Sequence, residues 1–387
     1  MTRATGLVAL AACATVPEPP PELGDDVVTV AYQNGGVQVR GPITEGGVPL
    51  YEMTFPDTSD EIGMPDSFKI GGRETLSLPP DDCNRERRIG VALFPAGVVT
   101  SGDIASFGGE SNVETIVEAP GLAKVRVTYD IDYQCPTLQT FSGESIFTFF
   151  PSGRIVREDI EISPSSSTID PQGANFACGC GFTDIPFYFT SFWSFDANGS
   201  DEQVDANNME PRDGITSQAC TMYPTHGVGV AWPDASTRFH PSVASTHVYD
   251  FLANQQSIPE GESGSVTSAV QVHDGVRTPG TCGNMLAQLA DPRLLVGDEQ
   301  LGSTDHDGIY RPSEEHDDTT VLTTDDGIPG SWAISINLGG ATHGRVTRSP
   351  PLDDFVRFHA DPESEGNTVF VFLQGLAPGE SITIEPL

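Results

Sequence analysis

Between Tyr223 and Tyr249 the chain gathers His226, Trp232, Arg238, His240, His247 and Tyr249. These residue types suit proton abstraction from the carbon beside a sugar carboxylate. Histidine or tyrosine takes the proton, arginine neutralises the carboxylate, and tryptophan stacks on the ring. His226, Arg238, His240 and Tyr249 are therefore the candidate catalytic residues. The alternative is that they are ordinary strand and loop residues of a β protein, and closeness in sequence does not decide between the two. Hydrolysis of a glycosidic bond would instead need two carboxylates across a cleft. With 55 acidic residues every segment supplies candidates, so that requirement selects nothing. GxSxG, HExxH and P-loop patterns do not occur, which argues against serine-hydrolase, zincin and nucleotide-binding chemistry.

A second cluster has the chemistry of a hard cation. Asp196-Ala197-Asn198-Gly199-Ser200-Asp201, continuing to Asp205, sets oxygen donors on alternate residues around a glycine, like the first half of a calcium loop. Asp196, Asn198, Ser200 and Asp205 are the candidate ligands. The bidentate Glu expected later in an EF-hand is missing, since Asn207 holds the twelfth position, and a polar hairpin loop fits the same residues. The cofactor expectation is thus none, or calcium at this loop. Asp305-His306-Asp307-Gly308 and Asp325-Asp326-Gly327 read as turns.

Of 7 cysteines, Cys13 stands apart at the end of an apolar run. Cys83, Cys135, Cys178, Cys180, Cys220 and Cys282 remain, and an even number in an exported chain predicts three disulfides. Spacing does not select the pairing, although Cys178 and Cys180 are too close to bridge each other without strain. A zinc site built on Cys178-Gly179-Cys180 and His226 is the competing reading, and no CxxC pair supports it.

The N-terminus bears on compartment. Arg3 is followed by a small-apolar run from Ala4 to Ala12 that ends in Leu10-Ala11-Ala12-Cys13. This resembles a bacterial lipoprotein signal. The resemblance implies removal of residues 1–12 and attachment of a diacylglycerol to the thiol of Cys13. Residues 13–26, with Pro17, Pro19, Pro20 and Pro21, then form a stiff extended tether. The implied location is the cell envelope, lipid-anchored at the outer membrane or cell surface, with the membrane as partner. An ordinary secretory signal or a chance apolar run is the alternative.

Composition limits the partners further. A formal net charge of −36 repels nucleic acid, whose phosphates need clustered Lys and Arg. It suits an acidic, solvated surface. The 41 glycines and 31 prolines among 387 residues disfavour helices and suit many short strands joined by turns.

The elements that must position these residues are strands. Val27 to Tyr32 and Val37 to Arg40 flank Asn34-Gly35-Gly36, a hairpin signal. Lys124 to Tyr133 alternates throughout, with Val125, Val127, Tyr129, Ile131 and Tyr133 on one face and Lys124, Arg126, Thr128, Asp130 and Asp132 on the other, which predicts a half-buried strand. Ile146 to Phe150 is apolar on both faces apart from Thr148, as in a strand between two layers. Pro151-Ser152-Gly153 turns the chain into a return strand, Arg154 to Ile162, where Glu158 shares a face with Val156, Ile160 and Ile162. A rim position or a functional carboxylate would explain that charge. Further strands are predicted at Phe187–Phe195, Gly227–Trp232, His247–Leu252, Ser265–Val272, Ser331–Leu338, Thr368–Leu373 and Ser381–Glu385. One short helix is predicted around Asn284 to Ala290, and Gly297 to Gly327 is expected to form long loops.

The alternating strand, the Phe-rich strand and the "FPSGRIVRED" turn and return strand resemble part of the β supersandwich of galactose-mutarotase-like carbohydrate-active proteins. No catalytic motif of those proteins is matched, so no catalytic residue is carried over. The expected fold is all-β: a large antiparallel β-sandwich, supersandwich-like, or two packed β-sandwiches, with very little helix. The expected domains are a main sandwich over 27–278 and a C-terminal β region over 279–387, the latter open to being part of the same sandwich. The functional expectation is an exported envelope lipoprotein, binding or structural rather than catalytic, with glycan as a candidate ligand. A polysaccharide lyase or glycoside hydrolase is the first alternative, and an adhesion or assembly component the second.

Overall fold

A computed structural model gives the fold. It describes residues 27–56, 65–75, 107–119, 121–134, 138–164, 187–188, 191–196, 201–204, 216–223, 225–231, 248–249, 259–276, 281, 283, 285, 294–296, 299–300, 309–311, 320–324, 328–337, 344–349, 358–360 and 368–387.

A small sheet comes first. β1 (Thr29–Gln33), β2 (Gly36–Arg40), β3 (Tyr51–Phe55), β4 (Ser67–Ile70) and β5 (Arg73–Glu74) pair in chain order. Gln33 pairs with Gly36 across Asn34 and Gly35, whose φ values of 51° and 83° are those of the tight turn the Asn-Gly signal predicts. Val37, Val39, Tyr51, Met53, Phe55, Phe68 and Ile70 are all buried, and the register places them on one face. The opposite face carries a charge ladder. Glu52 accepts from Arg40 Nε at 3.0 Å and from Lys69 Nζ at 2.7 Å. Burial pushes the Glu52 carboxyl up, but the hydrogen bonds and charges of Lys69 and Arg40 outweigh it and hold it below the usual range.

Four long strands follow: β6 (Phe107–Ala119), β7 (Leu122–Gln134), β8 (Leu138–Phe149) and β9 (Arg154–Pro164). They share a nine-stranded sheet with β11 (Ser191–Asp196), β12 (Asp201–Val204), β13 (Thr216–Tyr223), β14 (His226–Ala231) and β16 (Gly264–Asp274). Its order is β12-β11-β13-β14-β16-β9-β8-β7-β6. β10 (Phe187–Tyr188) pairs separately with β15 (Val248–Tyr249). The C-terminal part adds β17 (Leu294–Val296), β18 (Glu299–Gln300), β19 (Thr320–Thr324), β20 (Ile328–Asn337), β21 (Gly344–Ser349), β22 (Phe358–Ala360), β23 (Thr368–Leu376) and β24 (Ser381–Pro386). These form two sheets, β18-β17-β19-β24-β21 and β20-β23-β22. The ladders are antiparallel. Helical backbone among the described residues occurs only at Thr281, Gly283 and Met285. The protein is an antiparallel β-sandwich.

The middle of the large sheet is covered on both faces. One face carries Val125, Val127, Phe147, Phe149 and Ile155, all buried, and the small sheet lies on it. Phe55 meets Phe147 edge-on at 5.2 Å, Tyr51 stacks on Phe149 at 6.1 Å, and the Tyr51 hydroxyl donates to the Phe150 carbonyl at 3.0 Å. The other face carries Val156 and Ala269, which join Phe150, Cys220, Met285, Ile309, Ala333 and Phe370 in one apolar cluster. Fully burying each large side chain stabilises by about 1.5–3 kcal/mol. Ile146, Phe147, Thr148, Phe149 and Phe150 are all buried, as a strand between two layers requires.

The structure corrects several expectations. Lys124 is buried at 3% exposure, so β7 is half-exposed only from Arg126 onward, because its start is covered on both faces. Phe187–Phe195 divides into β10 and β11, which pair in different sheets. β18 and β19 occupy part of the expected loop 297–327, because Val321 and Leu322 pair with the Ile382–Thr383 segment of β24. In β9 the alternation is interrupted at Glu161, whose φ is 52°, and the register shifts against Gly143, so the face of Val156, Glu158 and Ile160 is broken before Ile162. Among the described residues helical backbone is present at Thr281 and Gly283, ahead of the expected Asn284.

Candidate functional site

His226 is the first residue of β14, close to the tight connection with β13, where it pairs with Tyr223. On its other side it pairs with Asp274, the last residue of β16. Alternation along β14 places His226 on the face of Val228, toward the small sheet. From that sheet β5 supplies Arg73, whose Nη1 donates to Asp274 Oδ1 at 2.7 Å and to the Thr225 carbonyl at 3.3 Å. Gly275 N donates to the same carbonyl at 3.0 Å. Gly71, at φ 54°, brings the β4–β5 turn so near that a Cβ there would collide with the Asp274 carboxylate. The cluster thus joins the two sheets.

The imidazole of His226 is buried, and its Nδ1 lies 3.3 Å from Thr225 Oγ1. Burial, and next the nearby Arg73 guanidinium, hold it below the ordinary histidine range, while Asp274 pulls the other way. At neutral pH it is an uncharged ring beside an ion pair.

A second cluster lies deeper. Arg157 Nη2 pairs with Asp159 Oδ2 at 2.8 Å, and Arg157 Nε donates to Oδ1 at 3.2 Å. The Ser145 hydroxyl donates to the same carboxylate in a very short contact. The guanidinium carbon sits 5.7 Å from the centre of the Phe147 ring. Arg157 and Asp159 are 2% and 0% exposed, which makes this a buried ion pair. Burial, then the negative charge of Asp159, raise the Tyr129 hydroxyl well above its ordinary range.

Of the sequence candidates, His226 and Tyr249 fall in described residues and stand on different sheets, the nine-stranded one and the β10–β15 pair. Arg238 and His240 lie outside the described residues. So do Cys13, Cys83, Cys135, Cys178, Cys180 and Cys282, and the calcium candidates Asn198, Ser200 and Asp205. Asp196 ends β11 and Asp201 begins β12, and the two strands pair antiparallel. No group of three or more metal-ligating side chains occurs among the described residues. Sequence reasoning missed Arg73, Asp274, Arg157, Asp159 and Ser145. Arg157 and Asp159 carried a signal: opposite charges two apart on a strand share a face.

The strands define an antiparallel β-sandwich in which the Arg73–Asp274 pair joins two sheets and the Arg157–Asp159 pair is buried. No family model and no curated protein sequence matches the chain. Among solved structures it is similar to galactose 1-epimerase from Lactobacillus acidophilus NCFM, with a TM-score of 0.29 and 8% identity over 63% of this chain and 100% of the epimerase. It is also similar to a polysaccharide lyase, with a TM-score of 0.17 and 12% identity over 92% of this chain and 45% of the lyase. The chain therefore spans less than half the length of that lyase.

Proposed function

We propose that the chain is an exported, lipid-anchored β-sandwich of a bacterial cell envelope, held at the membrane through Cys13, with a binding or structural rather than catalytic role. The observation that carries the non-catalytic reading is the placement of its ionisable groups. Arg157 and Asp159 are sealed between layers, Arg73 and Asp274 join two sheets, and Glu52 is shared by Arg40 and Lys69. Each of these pairs acts on the fold. His226 belongs to the same junction.

The buried, disulfide-bonded Cys220 supports the extracytoplasmic part of the reading, since such bonds persist in oxidising compartments. The cluster linking Phe150 and Val156 to Ala333 and Phe370 supports residues 279–387 completing one unit with 27–278. The ligand class we propose is glycan, with calcium at the 196–205 connection as an accessory.

The test is a glycan array probed with the labelled full chain, with and without chelator, alongside a product assay on acidic polysaccharides. Stable binding without chain shortening is the expected outcome. Appearance of unsaturated oligosaccharide ends would replace the binding reading with a lyase. An array without signal would remove glycan as the ligand. Metabolic labelling with a clickable fatty acid tests the anchor, and Cys13→Ala is expected to abolish the label.

A further inference from the structure

We propose that the contact between the β4–β5 hairpin and the end of the β14–β16 ladder is a proton-sensitive latch: it holds the five-stranded sheet on the large sheet at neutral pH and loosens when His226 takes up a proton. The proposal is independent of the ligand reading above.

The geometry places one carboxylate between two basic groups. Asp274 accepts from Arg73 at 2.7 Å and is the cross-strand partner of His226. While the imidazole is neutral, Asp274 serves Arg73 alone. A protonated imidazole would add a second cation beside the guanidinium, and a single carboxylate cannot neutralise both. The hairpin end can yield there, because beyond the buried Phe68 and Ile70 of β4 its contact with Asp274 is the Arg73 side chain, 47% exposed, and the packed Gly71 turn. The charged groups beside His226 are Arg73 from β5 and Asp274 from β16, and on β13 its register partner is Tyr223. His273 alternates to the opposite face of β16.

The sign follows from linkage. Burial and Arg73 depress the His226 pKa when the sheets are docked. Docking is therefore fully supported above the ordinary histidine value of about 6.5 and loses support as the pH falls through it toward the depressed value.

The experiment is hydrogen–deuterium exchange on the full chain at about pH 7.5 and about pH 5, corrected for intrinsic rates and read at residues 51–55 and 67–75. The expected result is a loss of protection on acidification about tenfold larger in the wild type than in His226→Gln, the difference being the proton-linked part of docking. Equal losses in the two proteins would overturn the proposal. If His226→Gln does not fold, Arg73→Gln supplies the second arm: low protection at both pH values is expected, and an unchanged acid response would overturn it. A direct NMR titration of wild-type His226 at or above the ordinary value would also sink it.

Discussion

Asp159 has no exposed surface, and its carboxylate meets two neighbouring side chains. Arg157 approaches both of its oxygens, and Ser145 donates to one. Water contributes nothing to such a pair, so each ion depends on its partner for solvation. Asp159→Asn would keep the shape and remove the carboxylate that Arg157 Nη2 and Nε approach in a buried site. We expect a loss of about 3–5 kcal/mol, measured by chemical denaturation. The double replacement Arg157→Met with Asp159→Leu is expected to recover most of that loss, because no orphaned charge remains. This site was half legible: the i, i+2 spacing of Arg157 and Asp159 put both on one face, but the burial that makes the pair matter depends on the small sheet above it. The Arg73–Asp274 pair was not legible at all. Its members are 201 residues apart, and only the docking of two sheets brings them together.

Turns show how local chemistry and tertiary packing divide the work among elements. Gly153 closes the β8–β9 hairpin at φ 83°, and Gly261 holds a similar φ of 79° ahead of β16. They differ in surroundings: a Cβ at Gly153 would lie 2.7 Å from Val272 Cγ2, whereas nothing stands within 4 Å of one at Gly261. Gly261→Ala should therefore cost only the left-handed backbone strain, about 1–2 kcal/mol. Gly153→Ala should cost that plus overpacking of about 1–3 kcal/mol. The difference between the two melting temperatures isolates the packing part, and equal shifts would show that Val272 moves aside freely. The turn itself was legible from Pro151-Ser152-Gly153, as was the strand on either side. Alternation revealed β7 because one of its faces meets water beyond Lys124. It was silent on β6, whose glycines and glutamates near an edge give little pattern, and on β19, which is short and rich in threonine. Periodicity reports how a strand is exposed, so strands covered on both faces or standing at an edge escape it.

At the scale of the whole molecule, the sheet order required information that no single segment contains. β16 lies between β14 and β9, and β24 lies between β19 and β21. Such non-local ladders are costly to close before packing rewards them, and a glycine-rich chain pays more than most. Cross-links would offset that cost. Cys220 is fully buried in the cluster where the large sheet meets the C-terminal strands, the place where a proposed bridge would act. Cys220→Ala should remove both the bridge and some packing, for a loss of about 2–5 kcal/mol. It should also release one new thiol. Alkylation of unreduced, denatured protein followed by peptide mapping reads both facts together. In the wild type Cys83, Cys135, Cys178, Cys180, Cys220 and Cys282 should all escape the reagent, as three bridges require. In Cys220→Ala a single cysteine should become labelled, and its position names the partner. If the variant labels no new site, Cys220 is unpaired in the mature protein and the oxidised framework fails with it. If several sites are labelled, the bridges exchange, and the covalent frame holds the sheets less firmly than the burial of Cys220 implies.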